Sequence, residues 1–142
     1  MFNEVKKMLS SQEMVKVETL YLELKSSKGL ERLNSSIKLM TDKLEMLDLS
    51  DNRYQREVLH ITKALLDVTI KSKACDQKSK RFALIGLAYL CDPFDVVPDH
   101  NTERGYADDI YMYSLVLKDI KINSEMTHKA FILAHKKYRE SD

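Results

Sequence analysis

The chain has 142 residues, 44% hydrophobic and 32% charged, enough for one compact domain with a sizeable core and too few for two. Only three Gly and two Pro occur, which excludes a collagen-like repeat and argues against a disordered chain or a turn-rich all-β fold. With 23 basic and 22 acidic side chains the formal charge is +1, so no global field draws the protein toward nucleic acid or anionic lipid.

The signals along the chain are helical. Ser10 and Glu13 have the spacing of a capping box, in which each side chain satisfies a free backbone N–H at a helix start. A helix through Val17, Leu20, Tyr21 and Leu24 follows from it, preceded by a short N-terminal turn and stopped by Ser26 to Gly29. Leu30, Leu33, Ile37, Met40, Leu44 and Leu47 alternate in steps of three and four, placing all six on one seam of the next helix. That seam suits a coiled-coil dimer or a stripe packed within the domain, and its short length favours the second. Ser50 or Asp51 is expected to cap a helix whose buried face carries Tyr54, Val58, Ile61, Leu65 and Val68, widened by Leu59 and Leu66 and ending at Lys71 to Lys73.

A further helix starts near Asp76 and contains the longest uncharged apolar run, Phe82 to Cys91. Ten residues are half of the roughly 20 that a bilayer span needs, so this segment reads as the buried centre of the fold, with Gly86 permitting a close helix crossing. Asp92-Pro93 ends it, because a residue before Pro leaves the α region. Helices of 107–120 and 124–139 close the chain, the last with Lys136, Lys137 and Arg139 favourably placed against its dipole. The expected fold is therefore all-α, a single bundle of six or seven helices around a central apolar helix at 78–91, with amphipathic helices of unrecognised type in 1–73.

Local charge is uneven. Residues 51–80 carry seven basic and four acidic side chains, whereas 81–120 carry three and seven. The segment Tyr89-Leu-Cys-Asp-Pro-Phe-Asp-Val-Val-Pro-Asp99, followed by Gly105-Tyr-Ala-Asp-Asp109, gathers Asp92, Asp95, Asp99, Asp108 and Asp109 between two apolar helices. This pattern resembles the YkvA-like family of small helical domains of unknown function: an apolar helix ending in Tyr-Leu, then Asp-Pro-x-Asp-x-[Ile/Val]-Pro-Asp, then Gly-x-x-Asp-Asp. The resemblance covers residues 80–120. It departs from the family at the polar His100 to Arg104 and at Cys91, where a small residue is common. It implies a helical fold and carries no chemistry with it.

The aspartates fit two roles. Pro93 and Pro98 fix turns that Asp95 and Asp99 can cap, and Asp108 or Asp109 can stabilise a helix start. Alternatively Asp95, Asp99 and Asp109 offer hard oxygen ligands for Mg²⁺ or Ca²⁺, which would make the protein a metal-dependent enzyme with water as nucleophile. No EF-hand loop, phosphate-binding glycine loop or nucleophile elbow is present in the sequence. His60, His100, His128 and His135 read as polar surface or partly buried groups, and Cys75 and Cys91 as core or helix-end thiols, since neither set has ligand spacing. The basic run Lys71, Lys73, Lys78, Lys80, Arg81 suits a solvated face or a membrane-surface adaptor. Charge from Glu4 onward breaks any leader pattern and, with two cysteines, predicts a reduced cytoplasmic protein. The functional expectation is a small interaction or regulatory protein of the immunity or inhibitor type, a monomer or weak homodimer without cofactor. It would bind a basic protein partner through an acidic, tyrosine-bearing surface of Asp95, Asp99, Glu103, Tyr106, Asp109 and Tyr113.

Overall fold

The computed structural model describes residues 2–26, 35, 37–91 and 106–141. Within them run seven helices: α1 (Phe2–Met8), α2 (Ser11–Leu24), α3 (Met40–Asp48), α4 (Arg53–Leu65), α5 (Gln77–Cys91), α6 (Ala107–Asn123) and α7 (Glu125–Glu140). A 3₁₀ turn at Ile37–Leu39 leads into α3, and a π-helical turn at Leu66–Ile70 extends α4. No strand occurs among the described residues, and the helices pack as an all-α bundle.

The helix starts follow local chemistry. The Ser10 hydroxyl accepts from the Glu13 amide at 3.0 Å and the Glu13 carboxylate accepts from the Ser10 amide at 2.8 Å, the complete capping box. The preceding segment, expected as a turn, is the short helix α1, whose Val5 is fully buried. At α4 the cap is neither Ser50 nor Asp51 but Asn52. Its side-chain carbonyl accepts from the amides of Tyr54 and Gln55, while the Ser50 hydroxyl accepts from the Asn52 amide one turn earlier. Asp76 opens α5 by accepting from the Ser79 amide at 2.9 Å, and this bond holds its carboxyl below the usual range.

Of the six-residue seam, Met40 and Leu47 are buried in the core and Ile37 and Leu44 pack against it, which fits an internal stripe. Leu30, Leu33 and the stop at Ser27 to Gly29 lie outside the described residues. On α4 the expected face holds: Val58, Ile61 and Leu65 are buried, as are Leu59 and Leu66. Its end differs. The Lys71 amide donates to Leu66 rather than one residue closer, and the Thr69 hydroxyl donates to the Leu65 carbonyl, so the last turn widens.

Two helices share the centre. α5 buries Ala83, Ile85, Gly86, Leu87, Ala88, Tyr89 and Leu90. Its most extensive neighbour is α6, which also packs against α1, α2, α4 and α7. Ser124 alone joins α6 to α7: its amide donates to Ile120 at 2.7 Å, and its hydroxyl accepts from the Thr127 amide.

Gly86 sets the spacing of the central pair. A Cβ there would lie 2.9 and 3.0 Å from two ring carbons of Tyr113 and 3.2 Å from a methyl of Val116. Neither neighbour can give way, because both are fully buried. Overpacking of this kind costs about 1–3 kcal/mol, against a helix-propensity gain of at most about 1 kcal/mol for replacing Gly with Ala. Gly86→Ala is expected to lower unfolding stability by about 1–2 kcal/mol in urea titrations followed by circular dichroism; unchanged or higher stability would show that the crossing has slack.

Candidate functional site

The helices on either side of the acidic segment meet in the interior. The Tyr89 hydroxyl at the end of α5 donates to Asp108 in the first turn of α6 at 2.6 Å, both groups buried. A hydrogen bond in a water-poor site is strong, and it fastens the two helices on either side of the acidic segment. Asp92, Asp95, Asp99, His100, Glu103, Arg104 and Gly105 lie outside the described residues. The other half of the expected partner surface is a correction. Tyr113 is fully buried and Tyr106 and Asp109 nearly so, because the first two turns of α6 are enclosed on every side. Asp109 therefore offers no exposed ligand, and no group of three potential metal ligands gathers among the described residues.

Tyrosine and carboxylate do meet repeatedly, but as ties between helices. Tyr21 on α2 donates to Asp119 on α6 at 2.5 Å, and Lys25 approaches the same oxygen at 2.9 Å. Burial pushes the Asp119 carboxyl up, yet Tyr21 and Lys25 more than reverse that and hold it below the usual range. Tyr111 donates to Glu18 at 2.8 Å, and burial together with that carboxylate pushes its phenol up to about 12. Tyr138 on α7 donates to Asp67 on the π-helical turn. Tyr113 shares a 2.7 Å bond with Thr62, whose own hydroxyl donates to the Val58 carbonyl.

A second polar cluster joins α4 and α7. His135 lies 2.9 Å from Glu57 and stacks on Phe131 with ring centroids 5.4 Å apart. Glu57 and His60 are buried on α4. Burial pushes the Glu57 carboxyl up, but the His135 bond, aided by the charges of His135, Arg139 and His60, holds it below its ordinary value. The signal for Glu57 was present in the sequence, since it falls three residues after Tyr54 and four before Ile61 on the buried face. His128 is half-buried, with burial and Lys121 pushing its imidazole down. Cys75 is buried beside α5 with its thiol pushed up by burial, and Cys91 ends α5 with its sulfur 4.0 Å from that of Met40.

The basic run from Lys71 to Arg81 does not form one face. Lys71 pairs with Asp67 at 3.8 Å, Lys80 and Arg81 lie beside Ile70 and Leu84 near the π-helical turn, and Lys78 with the same Arg81 lines a cleft toward α6. No described helix is long and apolar enough to cross a membrane. The most uniform surface belongs to α7. Met126, Ala130, Leu133 and Lys137 recur in steps of four, three and four on its outer face, with Lys129 and Lys136 alongside, all exposed. Met126 is 81% exposed and Leu133 70%, and Ile122, just before α7, is 76% exposed. No family model matches the chain, and neither the curated proteins nor the solved structures contain a match.

Two consequences are measurable. Tyr89→Phe removes a buried donor from Asp108 and is expected to cost about 1–3 kcal/mol of stability in urea unfolding, without altering helix content. No loss would mean that Asp108 does not depend on that bond. The folded-state pKa of Glu57 lies below its ordinary value of 4.5, so its stabilisation is present above that pH and is lost as pH falls through the lower folded value. Urea midpoints between about pH 6 and pH 3 should therefore drop less steeply in Glu57→Gln than in the wild type, and equal slopes would count against this pair.

Proposed function

We propose that this protein is a small helical interaction protein that docks an acidic partner on the outer face of α7. The observation that carries the reading is the exposed Met126-Ala130-Leu133 stripe bordered by Lys129, Lys136 and Lys137. Exposed apolar residues scattered singly mean little, but a stripe at helical spacing with a predominantly basic border, in which Glu140 pairs with Lys136 at 3.9 Å and leaves Lys129 and Lys137 over, is the pattern of a helix face seeking a partner. The apolar side chains supply burial and the lysines select for acidic residues around them. The expected partner charge is thus the reverse of the one the acidic segment suggested, because Asp108 and Asp109, its described carboxylates, are buried inside the bundle. We also propose kinship with YkvA-like domains on the Asp92 to Asp109 motif; the Tyr89–Asp108 bond supports reading its carboxylates as structural ties.

Met126→Glu/Leu133→Glu changes exposed groups and is expected to move stability by no more than about 0.5 kcal/mol. Affinity capture from cell lysate would compare the wild type with this variant and with Asp95→Ala/Asp99→Ala, all verified as folded. A protein kept by the wild type and the aspartate variant but lost by the α7 variant is the expected result. Loss confined to the aspartate variant would move the contact to residues 92–105 and overturn the α7 reading.

A further inference from the structure

A cleft of about 660 Å³ opens where the end of α2, the start of α5 and the end of α6 come together. Lys25, Lys78 and Arg81 line it with a single carboxylate, Asp119, so the lining charges sum to three minus one, +2. That carboxylate is already committed, to the Tyr21 hydroxyl and to Lys25. Arg81 is held differently. One of its Nη groups donates to the Lys25 carbonyl at 2.8 Å, where α2 ends. A backbone carbonyl fixes the guanidinium in place without neutralising it, and four of the five N–H donors of an arginine are left over from that single bond. No carboxylate pairs with Arg81 or with Lys78 among the described residues. A half-buried, oriented and uncompensated arginine beside a lysine presents the fork that matches a carboxylate or phosphate.

The remaining lining is apolar apart from Asn123, whose side-chain amide donates to Asp76 and Ser79. Phe82 forms one wall and Ile122 stands at the mouth. The volume lies within the range of small-molecule pockets, which join a few directed polar groups to an apolar lining. We infer that this cleft binds a small oxyanion, carboxylate or phosphate, carried on a compact apolar body, with Arg81 and Lys78 taking the head and Phe82 and Ile122 the body. The site is independent of the α7 face, and nothing in the docking of a protein partner there requires it. A bilayer is a poor occupant, because the cations line a concavity.

Isothermal titration with phenyl phosphate, phenylacetate and inorganic phosphate tests this on the full chain. At least one of the two aromatic anions should bind saturably, and which one does identifies the head group. Lys78→Glu and Ile122→Glu alter exposed side chains, so they keep the fold while placing a negative charge at the cleft, and each should weaken binding by about tenfold or more. Arg81→Met should abolish it, and Lys73→Glu, exposed and outside the cleft, should leave it unchanged. Absence of saturable binding by either aromatic anion, or affinities unmoved by Lys78→Glu and Ile122→Glu, would overturn the inference. So would inorganic phosphate binding as tightly as phenyl phosphate, since the apolar wall would then contribute nothing.

Discussion

The ring of Tyr113 rests against the backbone of Gly86, and its hydroxyl meets Thr62, so one side chain joins α6 to α5 and α4 at once. The close crossing requires the glycine, because any Cβ would intrude on a ring that has nowhere to move. The hydrogen bond requires the threonine, because a phenol buried without a partner would forfeit its solvation. Burial pushes that phenol far above its ordinary range, which keeps it a neutral donor at any physiological pH. Much of the remaining packing is arranged around this junction: α1 and α2 lie on α6, α3 leans on α4 and α5, and α7 covers α4 and α6.

Around that junction the polar groups obey one economy. Tyr21, Tyr89, Tyr111 and Tyr138 each donate to a carboxylate on another element. Four of the seven tyrosines thus let apolar rings fill the interfaces while their hydroxyls join helices in defined registers. Of these acids Asp108 is withdrawn from the surface field altogether, Asp67 and Asp119 are half-buried, and Glu18 stays exposed. The surface that results is set less by total charge, which nearly cancels, than by which charges the bundle has withdrawn.

Much of the fold was legible in the sequence where the information is local. Ser10 with Glu13 and the Val58-Ile61-Leu65 face concern residues within a turn or two of each other, and Gly86 stands out as the lone glycine of an apolar helix; all are realised, although the ring that needs Gly86 lies 27 residues on. The α4 cap was a different matter: Ser50 and Asp51 were expected, and the chain path gives the role to the neighbouring Asn52, whose side chain is an equally good acceptor. The π-helical turn has no local signature, and it brings Asp67 to Tyr138, 71 residues away. The tyrosines of α6 misled for the same reason. Asp108, Asp109, Tyr111 and Tyr113 look like the exposed start of a helix, and only partners from α2, α4 and α5 show that they lie inside. The cleft was equally hidden, because Lys25 and Asp119 approach each other across 94 positions of sequence.

The ties of α2 to α6 also set an order of events during synthesis. Tyr21–Asp119 and Glu18–Tyr111 close chain loops of 98 and 93 residues, a closure whose length-dependent entropy alone comes to about 4 kcal/mol. Leu24 and Asn123 mark the ends of α2 and α6, and at ordinary elongation rates the ribosome needs roughly 5–20 s to pass from one to the other. Throughout that interval Val5, Val17, Tyr21 and Leu24 have been made and the helix that buries them has not. α1 and α2 must wait for α6 to be made, and a nascent chain paused before α6 presents their apolar faces to whatever chaperone attends it.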